Sequence, residues 1–159
     1  MFVVSVFCCQ NNFAQTAYIR ADYDNCSFFQ KLTPKEIETN ILAQKSEDGF
    51  KIMFKIPSNK SPTEFLNFTL TTYSTDQKGY PVGQDAKDWL ELENGYKRTG
   101  DISVNFHTKT CQKETSSGLD SSGLIQLTNT SRFDKVSGFF NANVDGVQIS
   151  GEFKNIKIN

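Results

Sequence analysis

Two glutamates, Glu91 and Glu93, have the spacing in this sequence that best fits hydrolytic chemistry. Glycosidases use a pair of carboxylates, one as acid and one as base or nucleophile. In residues 89–93 (WLELE) both glutamates fall on one face of a predicted strand, about 7 Å apart. An exposed acidic strand face gives the same pattern. A small glycan-acting hydrolase is therefore kept as an alternative, and no catalytic residue is assigned.

Metal chemistry finds little support in the sequence. His107 is the only histidine and lies on the polar face of a predicted strand, which excludes a multi-histidine zinc site. Asp76, Asp85 and Asp88 lie in a predicted loop but lack the spacing of a calcium-binding EF-hand loop. We expect His107 to be an exposed strand residue and the aspartates to be solvated, with no metal and no cofactor.

Three aromatic residues, Tyr80, Trp89 and Tyr96, are candidate contacts for a sugar. An exposed aromatic ring on a β-rich domain can stack on the apolar face of a sugar while polar loop groups orient it. The competing interpretation is that Trp89, the only tryptophan, begins a strand and packs inward.

The first residues are typical of a leader. Residues 2–9 (FVVSVFCC) are uninterruptedly apolar, and no charge precedes Arg20. This run is too short to span a bilayer and fits a signal peptide over residues 1–16, truncated at its start because its positive region is missing. A buried N-terminal strand is the alternative. We expect a secreted or periplasmic protein with no transmembrane segment.

Four cysteines divide into two pairs. Cys8 and Cys9 lie in the predicted leader, and the residues before them are not the small residues that lipid modification requires. Cys26 and Cys111 would remain after export, when an oxidising compartment favours one disulfide between them. Two unpaired thiols are the other possibility.

Composition limits the partners. The 17 basic and 18 acidic residues nearly cancel and form no basic stripe, which argues against nucleic acid. A length of 159 residues predicts one domain, over residues 17–159. Fourteen phenylalanines suit a core built from strands.

From residue 17 onward, apolar and polar residues alternate with a period of two, which predicts strands. Residues 101–107 (DISVNFH), for example, place Ile102, Val104 and Phe106 on one face. Further strands are predicted at 17–23, 50–56, 65–73, 123–130, 136–144 and 147–158.

Local signals refine this pattern. Asp145-Gly146 predicts a two-residue hairpin turn, and a change of parity in the last strand predicts a bulge near residues 154–155. Thr33 to Glu36 has the form of a helix-capping box, which predicts one helical turn at 34–38 before a strand at 40–45. Residues 74–88 and 112–122 are predicted loops.

The last third of the chain carries a family resemblance. Residues 123–128 (GLIQLT), 136–140 (VSGFF) and 145–153 (DGVQISGEF) resemble the closing pattern of small secreted proteins and lipoproteins of unknown function from Bacteroidota. The resemblance implies an all-β protein and no enzymatic activity. In this pattern Gly138 and Gly151 lie where strands bulge or approach closely.

These observations predict an all-β fold, a single antiparallel β-sandwich or flattened barrel with at most one short helix. The expected function is that of a non-enzymatic binding or surface-interaction module, whose partner is a glycan or another surface protein. A lipocalin-like carrier with a Phe-lined cavity is a further alternative.

Overall fold

The computed structural model describes residues 14–74, 79–83, 85, 100–118, 120–128 and 134–159. Within them lie eleven strands and one helix of seven residues, so the predicted all-β fold is confirmed. The elements are β1 (Thr16–Tyr23), β2 (Cys26–Leu32), α1 (Pro34–Asn40), β3 (Ile41–Ser46), β4 (Gly49–Pro57), β5 (Phe65–Thr72), β6 (Gly79–Gly83), β7 (Gly100–His107), β8 (Gln112–Ser116), β9 (Ser122–Thr128), β10 (Lys135–Val144) and β11 (Val147–Lys157).

The strands form one large sheet. They are hydrogen-bonded in the order β2-β1-β11-β10-β9-β6-β7-β5-β4-β3, and β8 pairs with β7 beside this path. Neighbouring strands are antiparallel except β6 and β7, which meet in parallel at Val82 and Gly100. The sheet ends at β2 on one side and at β3 on the other.

The sheet folds over on itself, so that its two halves enclose a common core. Phe54 and Phe68 of the β4–β5 pair contact Phe140 and Phe153 of the β10–β11 pair, with ring centroids 5.2–6.2 Å apart. This sandwich-like packing buries the apolar face predicted from the alternation, including Ile102, Val104 and Phe106.

The predicted hairpin turn and bulge are both confirmed. Asp145 and Gly146 have positive φ angles of 48° and 86°, as a two-residue turn of this kind needs. Asn155 also has a positive φ, and its N–H donates to the Ser137 hydroxyl at 2.8 Å. The pairing between β10 and β11 shifts at this point, because β11 carries one extra residue.

Gly138 and Gly151 lie where the backbones approach closely, as predicted. A Cβ atom on Gly138 would lie 2.4 Å from the Gln126 carbonyl oxygen, and one on Gly151 would lie 2.7 Å from the Tyr18 carbonyl oxygen. A larger side chain at either position would therefore push neighbouring strands apart.

The helix α1 begins as its capping box predicts. The Thr33 hydroxyl accepts from the Glu36 N–H, and the Glu36 carboxylate accepts from the Thr33 N–H at 2.7 Å. The helix continues to Asn40 rather than stopping at residue 38, and its last turn is closed by the Ile41 N–H, which donates to the carbonyl oxygen of the buried Ile37. It connects the two strands that end the sheet, β2 and β3.

Three strands were not predicted from the sequence. β6 and β8 lie in the two segments predicted to be loops, and β2 follows β1 directly. β8 has no buried residue, and β6 contains Pro81 between two glycines, so neither has an apolar alternation.

The predicted disulfide is present. Cys26 and Cys111 are bonded, with their Cα atoms 6.2 Å apart, and the bond joins the start of β2 to the turn between β7 and β8. None of the helical residues that the structure describes belongs to a helix with the length and hydropathy needed to span a bilayer.

Candidate functional site

The aromatic residues predicted to contact a sugar do not form a surface site among the described residues. Tyr80 lies on β6 with a side chain that is 0% exposed. Its prediction as a sugar contact was wrong in this respect, because β6 pairs with β9 and turns the ring into the core. Trp89 and Tyr96 lie outside the described residues.

The predicted acidic candidates are only partly described. Glu91, Glu93, Asp76 and Asp88 lie outside the described residues. The Asp85 carboxylate accepts a hydrogen bond from the Gly123 N–H at 2.7 Å, so it holds the start of β9.

His107 packs against a neighbour instead of facing a cleft. Its ring stacks on Phe65, with centroids 5.0 Å apart and planes 9° apart. Gln112 approaches its Nε2 atom at 3.4 Å. Within the described ranges, no group of three or more His, Cys, Asp or Glu side chains is arranged to hold a metal ion.

Phenylalanine rings in the interior contact one another directly. Phe54 and Phe68 stack with centroids 4.2 Å apart, and both rings also contact Phe140. A carrier of the lipocalin type would need open space between such rings. This part of the core offers side-chain contacts instead.

A surface cleft of about 450 Å³ runs beside β2. Residues 25–31 line it on one side, and residues 58–60, 64 and 108–110 line it on the other. Side chains alternate between the two faces of a strand, so consecutive residues can line one cleft only if it follows the strand edge. We call this feature the β2 cleft.

The edge of β2 that faces this cleft has no strand partner in the described part of the chain. The turn at Asp24 and Asn25 has two residues, so Tyr23 and Cys26 form the pair that closes the hairpin with hydrogen bonds. Bonded and non-bonded pairs then alternate along β1 and β2. The N–H and C=O groups of Ser27, Phe29 and Lys31 therefore point away from β1, toward the open edge.

Gln30 is the buried polar residue of this cleft. Its side chain is 6% exposed, and its Nε2 atom is the one buried side-chain nitrogen or oxygen of the described residues without a hydrogen-bond partner. A buried amide donor without a partner costs about 1–3 kcal/mol. The preceding residue, Phe29, has the opposite orientation, with 66% of its surface exposed.

Both ends of the cleft are fixed. At one end the Cys26–Cys111 disulfide ties β2 to the β7–β8 turn, and the Thr110 hydroxyl lies 3.1 Å from the Cys26 sulfur. At the other end the Thr33 N–H and hydroxyl lower the pKa of Glu36, with a smaller contribution from the Asn59 side chain. The cleft is thus built between anchored walls.

Positive charge dominates the lining. Lys31, Lys60 and Lys109 are exposed lining residues, whereas Glu64 is the one acidic residue among the described residues that line the cleft. The Glu64 carboxylate already accepts from the Lys109 N–H at 3.1 Å. The cleft is therefore basic, although the whole chain has a formal net charge of −1.

The chain was compared with family models, curated proteins and solved structures. No family model, curated protein or solved structure matches it.

Sequence reasoning missed this cleft because it missed β2. The turn before β2 contains no glycine, and Asp24 instead adopts a positive φ of 53°. Aspartate and asparagine tolerate that conformation better than most residues, so Asp24-Asn25 was the available signal. The alternation in β2 is also disguised, because its glutamine faces inward and its second phenylalanine faces outward.

Proposed function

We propose that this protein is a non-enzymatic, exported binding module that captures an extended polypeptide segment along β2. The partner would add as a further strand, bonding to the N–H and C=O groups of Ser27, Phe29 and Lys31. The observation that carries this proposal is a cleft of about 450 Å³ along a strand edge with no strand partner in the described ranges. Adding a strand to an exposed sheet edge is an established mode of peptide recognition.

The edge is long enough for such an interaction. β2 has seven residues, so an added strand can run alongside it for about 20 Å. An exposed edge is otherwise a hazard, because it can pair with other chains and cause aggregation. A strand edge flanked by a cleft with fixed walls admits one extended chain more readily than it admits another whole sheet.

A non-enzymatic role is supported by the described His and Asp side chains, whose contacts hold parts of the fold together. His107 stacks on Phe65, and Asp85 holds the Gly123 N–H. Asp101 accepts hydrogen bonds from the Tyr73 and Ser117 hydroxyls. These contacts are structural.

Export is supported by three features. The disulfide between Cys26 and Cys111 is the kind of bond that persists in oxidising compartments. The apolar run at residues 2–9 and the resemblance to small secreted proteins from Bacteroidota point the same way. We place the protein in the periplasm or outside the cell.

The experiment is a selection from a random library of displayed peptides of about twelve residues, made with the wild-type protein and with Phe29→Pro. Proline removes the Phe29 N–H, which points to the open edge, and proline is tolerated at strand edges. We expect selected peptides to bind Phe29→Pro at least about ten-fold more weakly.

Phe29→Ala is the matched control, because it removes the ring and keeps the N–H. It should retain more binding than Phe29→Pro. Hydrogen exchange of the wild-type complex should show new protection at the amides of Ser27, Phe29 and Lys31. Equal binding by the proline variant, or no protection at these amides, would reject the proposal.

A further inference from the structure

We infer that the segment bound in the β2 cleft is acidic and carries a hydrogen-bond acceptor beside Gln30. This inference rests on the proposed function. It goes beyond it by naming the chemistry of the partner and the register in which it binds.

The charge of the cleft selects an acidic partner. Lys31 lies on β2 itself, while Lys60 and Lys109 lie on the opposite wall, so a strand between the walls would have lysines on both sides. Among the described lining residues, these three lysines outnumber the single acidic residue, Glu64, whose carboxylate accepts from the backbone N–H of Lys109. Charge complementarity of this kind sets specificity and the rate of association.

A second copy of this chain fits the cleft poorly. Pairing β2 with another β2 would bring two such lysine-lined clefts together. The like charges would repel each other, which disfavours this pairing. A separate acidic segment meets no such repulsion.

The Gln30 amide adds a second, independent requirement. It lines the cleft, it is 6% exposed, and its Nε2 atom has no partner. A bound strand that placed a carbonyl or carboxylate oxygen beside Gln30 would supply the partner that this donor lacks. An apolar side chain there would leave the buried donor unpaired.

The register follows from the strand geometry. Residues directly opposite each other in an antiparallel pair lie on the same face of the sheet. The partner residue opposite Phe29 thus lies on the outer face and should be aromatic or β-branched. In an antiparallel pairing, the partner residue before it lies opposite Gln30 and carries the acceptor, and the one before that lies opposite Lys31 and is acidic.

The charge inference is tested by repeating the library selection with Lys31→Glu/Lys60→Glu/Lys109→Glu. The wild type should enrich acidic peptides, and the triple variant should enrich basic ones. Thermal unfolding of both proteins shows whether the triple variant is folded. If that variant does not fold, the salt dependence of wild-type binding gives the same information, since binding of an acidic peptide weakens as salt rises.

The register is tested by a double-mutant cycle on one selected peptide. Gln30→Met removes the donor, and alanine in the peptide removes the acceptor. Each change alone should weaken binding about ten-fold, and the two together should weaken it little further, because both remove the same hydrogen bond.

The outcomes separate the inference from the function on which it rests. If wild type and triple variant select the same neutral peptides, and Phe29→Pro loses them, the acidic partner is rejected while strand addition stands. If the cycle shows independent effects, the register is rejected. If Phe29→Pro binds like wild type, both proposals fail, as they do if mass measurements show a dimer formed through β2.

Discussion

The two strands that end the sheet, β2 and β3, differ in how their outer edges are covered. β3 meets the residues that follow β11: Ala43 forms a parallel bridge with Ile158, and its carbonyl oxygen accepts from the Asn159 N–H at 2.9 Å. β2 has β1 on one side and the β2 cleft on the other. Among the residues that the structure describes, one edge is thus covered by the chain itself and the other faces a cleft.

The proposed strand addition depends on this difference between the two edges. Proteins protect exposed edges with short strands, charges, prolines or covering segments. The segment that covers β3 shows that this chain has such a device. At β2 no such segment is found among the described residues. The strand instead carries the Cys26–Cys111 disulfide, the buried Gln30 amide without a partner and the exposed Phe29.

The largest expected effect concerns the disulfide that holds β2. Replacing both Cys26 and Cys111 by serine should lower the free energy of unfolding by about 4 kcal/mol, because the bond closes a loop across a sequence separation of 85 residues. Denaturant unfolding of the variant and of the wild type, with and without reductant, measures this. A reduced wild type as stable as the oxidised one would mean that the tether does not anchor β2.

The buried amide of β2 gives the second effect, of opposite sign. Gln30→Met should raise the free energy of unfolding by about 1–2 kcal/mol, because it removes a buried donor that lacks a partner. The same substitution should weaken peptide binding. A less stable variant in denaturant unfolding would show that the amide already has a stabilising contact, contrary to our description of the open edge.

The covered edge of β3 gives a smaller effect. Asn159→Pro removes the N–H that bonds to the Ala43 carbonyl oxygen and should cost about 1 kcal/mol, whereas Asn159→Ala keeps that N–H. Exchange of the β3 amides should become faster in the proline variant alone. Identical exchange in the two variants would mean that other contacts close this edge.

The smallest effect lies in the helix that connects the two edges. The Thr33 N–H and hydroxyl lower the pKa of Glu36, so this carboxylate stabilises the folded state when ionised. Its contribution is complete above the ordinary glutamate pKa of about 4.3 and is lost as the pH falls through the lowered value.

Glu36→Gln should therefore remove part of the loss of stability on acidification. Thermal unfolding of both proteins between neutral and acidic pH measures the difference, and the exposure of this group keeps the effect small. Parallel pH profiles would show that the capping carboxylate contributes nothing to the link between β2 and β3.

The parts of the fold that sequence predicted are those with a strong local signal. The alternation in β4, β7 and β10, the turn at Asp145 and the capping box at Thr33 all depend on neighbours in sequence. The bulge at Asn155 was visible as a change of parity in one strand. In each case local preference and tertiary packing agree.

The candidate site was not predictable in the same way. β2 lies at an edge, where one side is unpaired and the inward and outward residues are less strictly apolar and polar. The cleft forms only because residues 58–60 and 108–110 lie opposite this edge, and no local pattern reports that proximity. The disulfide was predicted from compartment and cysteine count, yet its role as an end wall of the cleft needed coordinates.

The span of the disulfide has one more consequence. A protease that cuts any peptide bond between Cys26 and Cys111 leaves both fragments in one covalent molecule. Such a nicked protein would migrate as an intact chain on a gel until a reductant separates its pieces. In an environment rich in proteases, a cut in a surface loop within this span would therefore not release the N-terminal hairpin.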